Sequence, residues 1–459
     1  MTADDARAPG PDRSGAEPGT PAYRRLLAAL FVIGVATFAQ LYSPQGLLPV
    51  IAADQGVSAD QAALMISTAT LGLALGVIPW SYIGDAKGRK PAMGWAVGLA
   101  CLFALAAVVV PEFWMALGVR FLEGLMLGGV PALAVAYLSE EVHPRAAAVA
   151  AGTYISGTTV GGLTGRLVAA PVGEQLGWRL GMLAVTALAV VCVVAFLRLA
   201  PPAVRFTPRR SRIREALASL TGNLRSAALW VIYLQGFLTM GGFVAMYNYL
   251  GFQLAGPPFQ LPVWLASFVF LAYLAGTWSS PRAGRLAARR SRRSVLLLGN
   301  AVMASGVLLT LVPSLPVVIL GMVVLTAGFF GAHAVAAGWA GASAVAGRAQ
   351  SASLYNLGYY AGSSVFGFLG GTFLHLAGWP GTVGMVLALV AVATAAAAWC
   401  FRGTERSHGT GCDPADTVQV PVLDWPCGVS RSYRTGRPAV PRDPPAPSAP
   451  GAAPEQADQ

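Results

Sequence analysis

Charge is scarce in this chain. Of its 459 residues, 11% are Asp, Glu, Lys or Arg and 55% are hydrophobic, whereas a soluble domain carries about 25% charged residues. A deficit spread along most of the sequence sets aside an ordinary soluble protein and points to a polytopic membrane protein. The 5 cysteines make no framework: Cys101, Cys192 and Cys400 lie inside apolar stretches, and Cys412 and Cys427 lie in a polar tail. Without zinc-type spacing or a partner His they read as reduced thiols. His-rich metal clusters, a nucleophile elbow and paired catalytic acids are also missing, so neither an enzyme nor a cofactor is expected. A nucleotide-binding P-loop is absent too, which leaves an ion gradient as the energy source for any active process. A cleavable signal peptide is lacking, and the first apolar stretch is expected to remain as helix 1.

Long apolar runs fill the space that charge leaves. Twelve segments approach the roughly 20 residues a helix needs to cross the hydrocarbon. They cover 25–50, 62–83, 92–111, 113–138, 146–170 and 179–200, then 226–252, 262–281, 294–312, 316–341, 349–376 and 380–401. The fold class expected is an all-α polytopic membrane protein of twelve helices in two six-helix, pseudo-symmetric halves, 24–200 and 226–401. Residues 1–23 read as a disordered head, 201–225 as a basic linker with an amphipathic helix around Ile213–Leu220, and 402–459 as a disordered Pro-rich tail.

The formal net charge is +11, and its placement is topological. With the N-terminus inside, the cytoplasmic segments hold Lys87, Arg89, Lys90, Arg145, Arg205, Arg209, Arg210, Arg212, Arg214, Arg282, Arg285, Arg289, Arg290, Arg292, Arg293 and Arg348. The opposite loops hold none except Arg179. This asymmetry puts both termini in the cytoplasm. Cations scattered through loops, rather than gathered on one surface, argue against a nucleic-acid partner. An internal repeat supports the two halves. Asp85-Ala-Lys-Gly-Arg-Lys recurs as Ala288-Arg-Arg-Ser-Arg-Arg, Arg145 recurs as Arg348 at the same spacing, and Gly177-Trp178 recurs as Gly378-Trp379.

The stretch Gly84-Asp85-Ala86-Lys87-Gly88-Arg89-Lys90-Pro91 is too charged for mid-bilayer and must be a tight turn at the membrane face. It resembles the Gly-x-x-x-Asp-x-x-Gly-Arg-Lys loop between helices 2 and 3 of the major facilitator superfamily, with the upstream glycine displaced. Arg120-Phe-Leu-Glu123-Gly124 resembles the Arg-x-x-Gln-Gly motif of proton-driven exporters in that superfamily, with Glu in place of Gln. The resemblance associates Arg120 with proton coupling. The Gly-Pro-Gly-Gly element of many antiporters lacks its proline here. The run Tyr154–Arg166, Gly129–Glu141 and Tyr247-Asn248-Tyr249-Leu250 resemble the YnfM-like branch of bacterial inner-membrane efflux-type permeases. The resemblance covers helices 1–12 and implies a rocker-switch cycle and small-molecule efflux.

Ionisable groups inside a span are costly and mark candidate sites. Arg120, Glu123, Arg166 and His333 are the proton-coupling candidates. Arg120 and Glu123 share a helix face, Gly124 and Leu127 continue it with room for a ligand, and Arg166 falls at similar depth on helix 5. Two arginines beside one acid make a proton switch; the alternative is a static ion pair pinning helix 4 to helix 5. His333 is either a packing residue or a proton or ligand contact, and His375 is structural. Cavity candidates are Tyr42, Gln45, Tyr154, Gln235, Tyr247, Asn248, Tyr355, Asn356, Tyr359 and Tyr360, with interface anchoring as the alternative for each tyrosine. Asp85, Gly88, Arg89, Lys90, Glu140, Glu141 and Arg145 are candidates for a cytoplasmic gate of breakable ion pairs. The function expected is proton-coupled export of a small organic molecule by a monomer in the bacterial cytoplasmic membrane. The alternatives are an uncoupled facilitator or importer of a sugar or metabolite, and a non-transporting sensor on the same fold.

Overall fold

Apolar runs of this length form helices because a helix satisfies every backbone polar group internally, as a bilayer demands. The computed structural model describes residues 16–203, 213–345 and 347–402, and among these it is helical almost throughout. The helices are α1 (Pro21–Tyr42), α2 (Leu48–Gln55), α3 (Ala59–Lys87), α4 (Arg89–Val109), α5 (Phe113–Leu127), α6 (Gly129–Glu141), α7 (Ala147–Leu176) and α8 (Trp178–Leu199). After a connecting segment come α9 (Ile213–Leu224), α10 (Ala227–Ala255), α11 (Val263–Ala266), α12 (Leu274–Arg289), α13 (Arg292–Leu309), α14 (Leu315–Ala342) and α15 (Arg348–Cys400). Among the described residues, ten helical stretches are long and apolar enough to cross a membrane. Leu71, Leu75, Trp95, Leu99, Leu102 and Val191 are exposed on them, as a surface facing acyl chains requires and a soluble surface would not tolerate.

Several expected spans differ in detail, each for a local reason. The first is interrupted by a 3-10 segment, Ser43–Leu47, where Pro44 has no N–H to continue the ladder. The segment expected to end at 281 runs on to Arg289 despite Pro281, and Arg282 anchors that extension by stacking on Trp278 at 4.0 Å. The last two spans hydrogen-bond into one run, α15, but Ala377 and Gly378 leave helical geometry between them. The head is ordered earlier than expected: Ala16 pairs with Glu141 and His143, and Thr20 caps α1. Residues 1–15, 204–212 and 403–459, with the rest of the expected head, part of the linker and the tail, lie outside the described residues. The amphipathic linker helix is present as α9, and Asn223 fastens it to the turn between α14 and α15 through Val345 and Gly347.

The sequence repeat is also a repeat of geometry. Gly177 and Gly378 both adopt positive φ, 93° and 62°, and each precedes a buried tryptophan whose indole N–H donates a hydrogen bond, Trp178 to Asp54 and Trp379 to Thr310. Helix pairing repeats as well. Methyl groups at Gly157, Gly161 or Gly165 would overlap the α1 backbone, and one at Gly362 would overlap Phe237 of α10. Small residues thus let α7 lie on α1 and α15 on α10 at backbone contact.

Candidate functional site

Among the described residues, Arg120 and Arg166 are buried without any exposure, and they belong to different clusters. Arg120 on α5 donates to Glu123 Oε2 at 2.7 Å, to the carbonyls of Gln40 (3.3 Å) and Leu41 (2.9 Å) at the end of α1, and to Met65 on α3 (3.1 Å). The last carbonyls of a helix are short of intrahelical donors, and the guanidinium adds its N–H groups there, at Gln40 beside the N–H and hydroxyl of Ser43. Glu123 is equally buried, and its second oxygen, Oε1, has no hydrogen-bond partner. The face beyond it, expected to leave room for water or a ligand, packs on α3 at Gly124. Gly124 packs so closely on α3 that a methyl group there would overlap Ala69.

Arg166 on α7 does not approach Glu123. Its Nε donates to Gln45 (2.7 Å), Nη1 to the Gly162 carbonyl (2.6 Å) and Nη2 to the Tyr273 hydroxyl (3.1 Å). Its guanidinium also lies over the rings of Tyr42, Phe270 and Tyr273, at 4.4, 4.8 and 4.6 Å. The separation follows from helix neighbours: α5 packs on α3 and α4, whereas α7 packs on α1 and α8. Equal depth in the membrane did not mean contact.

From Arg166 an aromatic wall runs through the helices that follow α9. Tyr273 meets Tyr247 (4.7 Å between ring centroids) and Phe243 (5.3 Å), Phe243 stacks on Phe329 (4.1 Å), and Phe329 stacks on His333 (5.8 Å). His333 then meets Tyr359 at 4.8 Å and pairs through Nδ1 with the Tyr355 hydroxyl at 2.9 Å. Tyr360 stands edge-on to Tyr359. Tyr42, Gln45, Tyr247, Asn248, Tyr355, Tyr359 and His333 are therefore brought to one connected cluster. Gln235 is not part of it: it pairs with Asn300 on α13 at 2.7 Å. Asn356 points to the exposed face of α15. Tyr154 is buried with its hydroxyl unpartnered.

The helices before and after α9 meet through a set of bonds with a clear location. Gln45 donates to Asn248 (2.6 Å), and Thr70 pairs with Ser364 (2.8 Å), which also donates to Ser67. The Glu174 carboxylate accepts the backbone N–H groups of Val263 (3.0 Å) and Trp264 (2.7 Å). With Arg166–Tyr273, these bonds lie between the midpoint of the helices and the end opposite the Asp85–Lys90 turn.

Residues 30–281 match the family model of the Major Facilitator Superfamily. The chain belongs to that superfamily. It is 36% identical to the MFS-type transporter YybF of Bacillus subtilis, over 82% of this chain and 93% of YybF. It is 38% identical to the inner membrane transport protein YnfM of Escherichia coli, over 82% of this chain and 89% of that protein. In fold it resembles a bacterial homologue of the human lysosomal transporter Spinster, solved inward-facing and unoccupied, with TM-score 0.67, 16% identity and coverage of 84% of this chain and 97% of the other. It is a multi-pass membrane transporter of the major facilitator type.

In this facilitator-superfamily member the Asp85–Lys90 turn is built as an ion-pair knot. Gly88 takes φ 97°, ψ 153°, a region that favours glycine. The reversal sets Arg89 between Asp85 (2.6 Å) and Glu140 (2.9 Å), joining α3, α4 and α6. Lys90 donates to the Ala200 carbonyl, and Glu141 is buried at the end of α6. Arg145 is exposed and stands outside these ion pairs. All members of the knot precede α9.

Sequence reasoning missed Glu174, the Asp54–Arg179–Trp178 cluster and the aromatic residues Phe243, Phe270, Tyr273, Phe329 and Phe330. Arg179, the one cation in the opposite loops, carried a signal: it pairs with Asp54 at 3.4 Å and stacks on Trp178 at 4.4 Å. The phenylalanines carried none, because in an apolar span a wall residue and a lipid-facing residue are spelled alike.

Proposed function

We propose that this protein is a secondary active transporter that exports a small organic molecule across the bacterial cytoplasmic membrane in exchange for protons. It works by alternating access between two six-helix halves, with twelve crossings, both termini in the cytoplasm and a single chain as the working unit. The count takes α15 as two crossings and α7 as one more than the ten most apolar stretches. The observation that carries the reading is where, among the described residues, the helices before and after α9 hydrogen-bond to one another. Gln45–Asn248, Arg166–Tyr273 and Glu174 with Val263 and Trp264 hold the end opposite the basic turn. Cations mark the cytoplasmic face, so this arrangement is the inward-open member of a two-state cycle. The Asp85–Arg89–Glu140 ion pairs sit at the basic turn, and partly exposed pairs of this kind are weak enough to break and re-form in a cycle.

Glu123 is the proton site in this reading. A carboxylate buried with one oxygen satisfied by Arg120 and the other unpartnered is the group on which a proton changes most. The experiment is substrate-driven proton movement in proteoliposomes, comparing the wild type with Glu123→Gln across a chemically broad panel. Proton flux that vanishes in the variant while solute binding persists supports coupling through Glu123. Equal flux in both sinks that assignment. Solute movement with no proton flux in the wild type makes the protein an uncoupled facilitator, with Arg120–Glu123 a clasp holding α5 to α1 and α3.

A further inference from the structure

The two buried arginines differ in how their charge is met. Arg120 has Glu123 at 2.7 Å. Arg166 has the same complete burial, yet its partners are an amide, a carbonyl, a phenol and three ring faces, all neutral. Among the described residues no carboxylate forms an ion pair with it. A guanidinium cannot shed its proton to escape burial, and uncompensated buried charge is costly. Ring faces offset part of that cost. Three of its five N–H groups donate to these partners, leaving one on each Nη, and a guanidinium can pair with a carboxylate through two N–H groups at once.

We propose that Arg166 is an anion-binding residue of the transport site, taking the carboxylate of a flat organic acid whose body lies against the aromatic wall of Tyr273, Tyr247 and Phe243. The inference rests on the transporter reading and names the substrate class. The acid neutralises the buried charge and draws the guanidinium toward itself, away from its neutral acceptors Gln45 and Tyr273. Those two are also the links from Arg166 toward the second half, Gln45 through Asn248 and Tyr273 directly. Arrival of the anion therefore weakens the closure at that end, which ties binding to opening. Nearby Tyr42, its ring centroid 4.4 Å from the guanidinium carbon, supplies a second ring surface. An interior-negative membrane potential drives an anion outward, in the sense of export.

The test uses the purified full-length protein and matched probes: benzoate, salicylate, 4-hydroxybenzoate and phenylacetate, each against its carboxamide. Thermal unfolding and tryptophan fluorescence report binding. At least one acid is expected to stabilise the wild type while its amide does not. Arg166→Lys keeps the charge without the fork and is expected to weaken the acid by about tenfold or more, and Arg166→Gln to abolish the effect. Amide binding equal to acid binding, binding by none of the acids, or acid binding retained in Arg166→Gln each overturns the proposal. Should the Arg166 variants fail to fold, the acid-against-amide comparison on the wild type still decides. Proteoliposomes separate the two claims. Movement of a neutral or cationic solute that ignores all four acids leaves transport standing and removes the anion site. Acid binding with no solute movement does the reverse.

Discussion

Glu174 offers the sharpest handle on the conformational balance. It lies near the end of α7, and its carboxylate accepts two backbone N–H groups, from Val263 at 3.0 Å and Trp264 at 2.7 Å. These are the first donors of α11, which have no partner inside their own helix. The bonds exist only while the two sets of helices touch at this end, so they stabilise one state and not the other. A hydrogen bond to a charged group contributes about 1.5–3 kcal/mol when buried. Glu174 is partly exposed, which reduces each bond to roughly 1 kcal/mol after competition from water. Glu174→Ala then removes about 2 kcal/mol of bias, roughly a 30-fold shift in the equilibrium between states. Glu174→Gln keeps one neutral acceptor and loses about 1 kcal/mol, roughly fivefold.

The assay is a distance distribution between spin labels at Ala53 and Ala255, both exposed at this end and on opposite sides of the closure. The background lacks the native cysteines. The wild type is expected to give mainly the short distance. Glu174→Gln adds a long-distance component and Glu174→Ala a larger one, in that order. Identical distributions in all three proteins would refute the reasoning, because the carboxylate would then favour neither state. A long component larger in Gln than in Ala would refute it too, since the Gln carbonyl retains an acceptor.

The close helix approaches give a second prediction. Gly72→Ala and Gly362→Ala place a methyl group on the carbonyl oxygens of Phe121 and Phe237 and should cost about 1–3 kcal/mol or more, read as a lower melting temperature in detergent. Gly118→Ala, where nothing lies within 4 Å, should be neutral or mildly stabilising by helix propensity. The ion-pair knot gives a third. Arg89→Ala removes a cation that both Asp85 and Glu140 pair with, so it should lower the melting temperature more than Asp85→Asn, and Arg89→Lys should restore part of the loss.

What could be read from the sequence was whatever is written in side-chain chemistry at a fixed spacing. The turn at Gly88 was legible because three cations and an acid cannot stay in hydrocarbon. Gly177-Trp178 and Gly378-Trp379 were legible as a repeat, although not as two buried indoles with hydrogen bonds. Contact between Arg166 and Glu123 was a different kind of inference. A rise of about 1.5 Å per residue fixes depth along the membrane normal but leaves the bearing around it free. The bearing is decided by which helices are neighbours, and that arrangement carried Arg166 to Gln45 and Tyr273 instead. Glu174 was hidden for another reason. Its partners are the main-chain N–H groups of Val263 and Trp264, and any two residues at the start of any helix would offer the same. The acid is therefore the only letter of that contact in the sequence. A carboxylate near a helix end reads there as solvated until the fold places a second helix start beside it. The same limit explains the charge of Arg166: its neutrality deficit is a statement about what does not surround it, and a sequence names residues without saying which of them stay away.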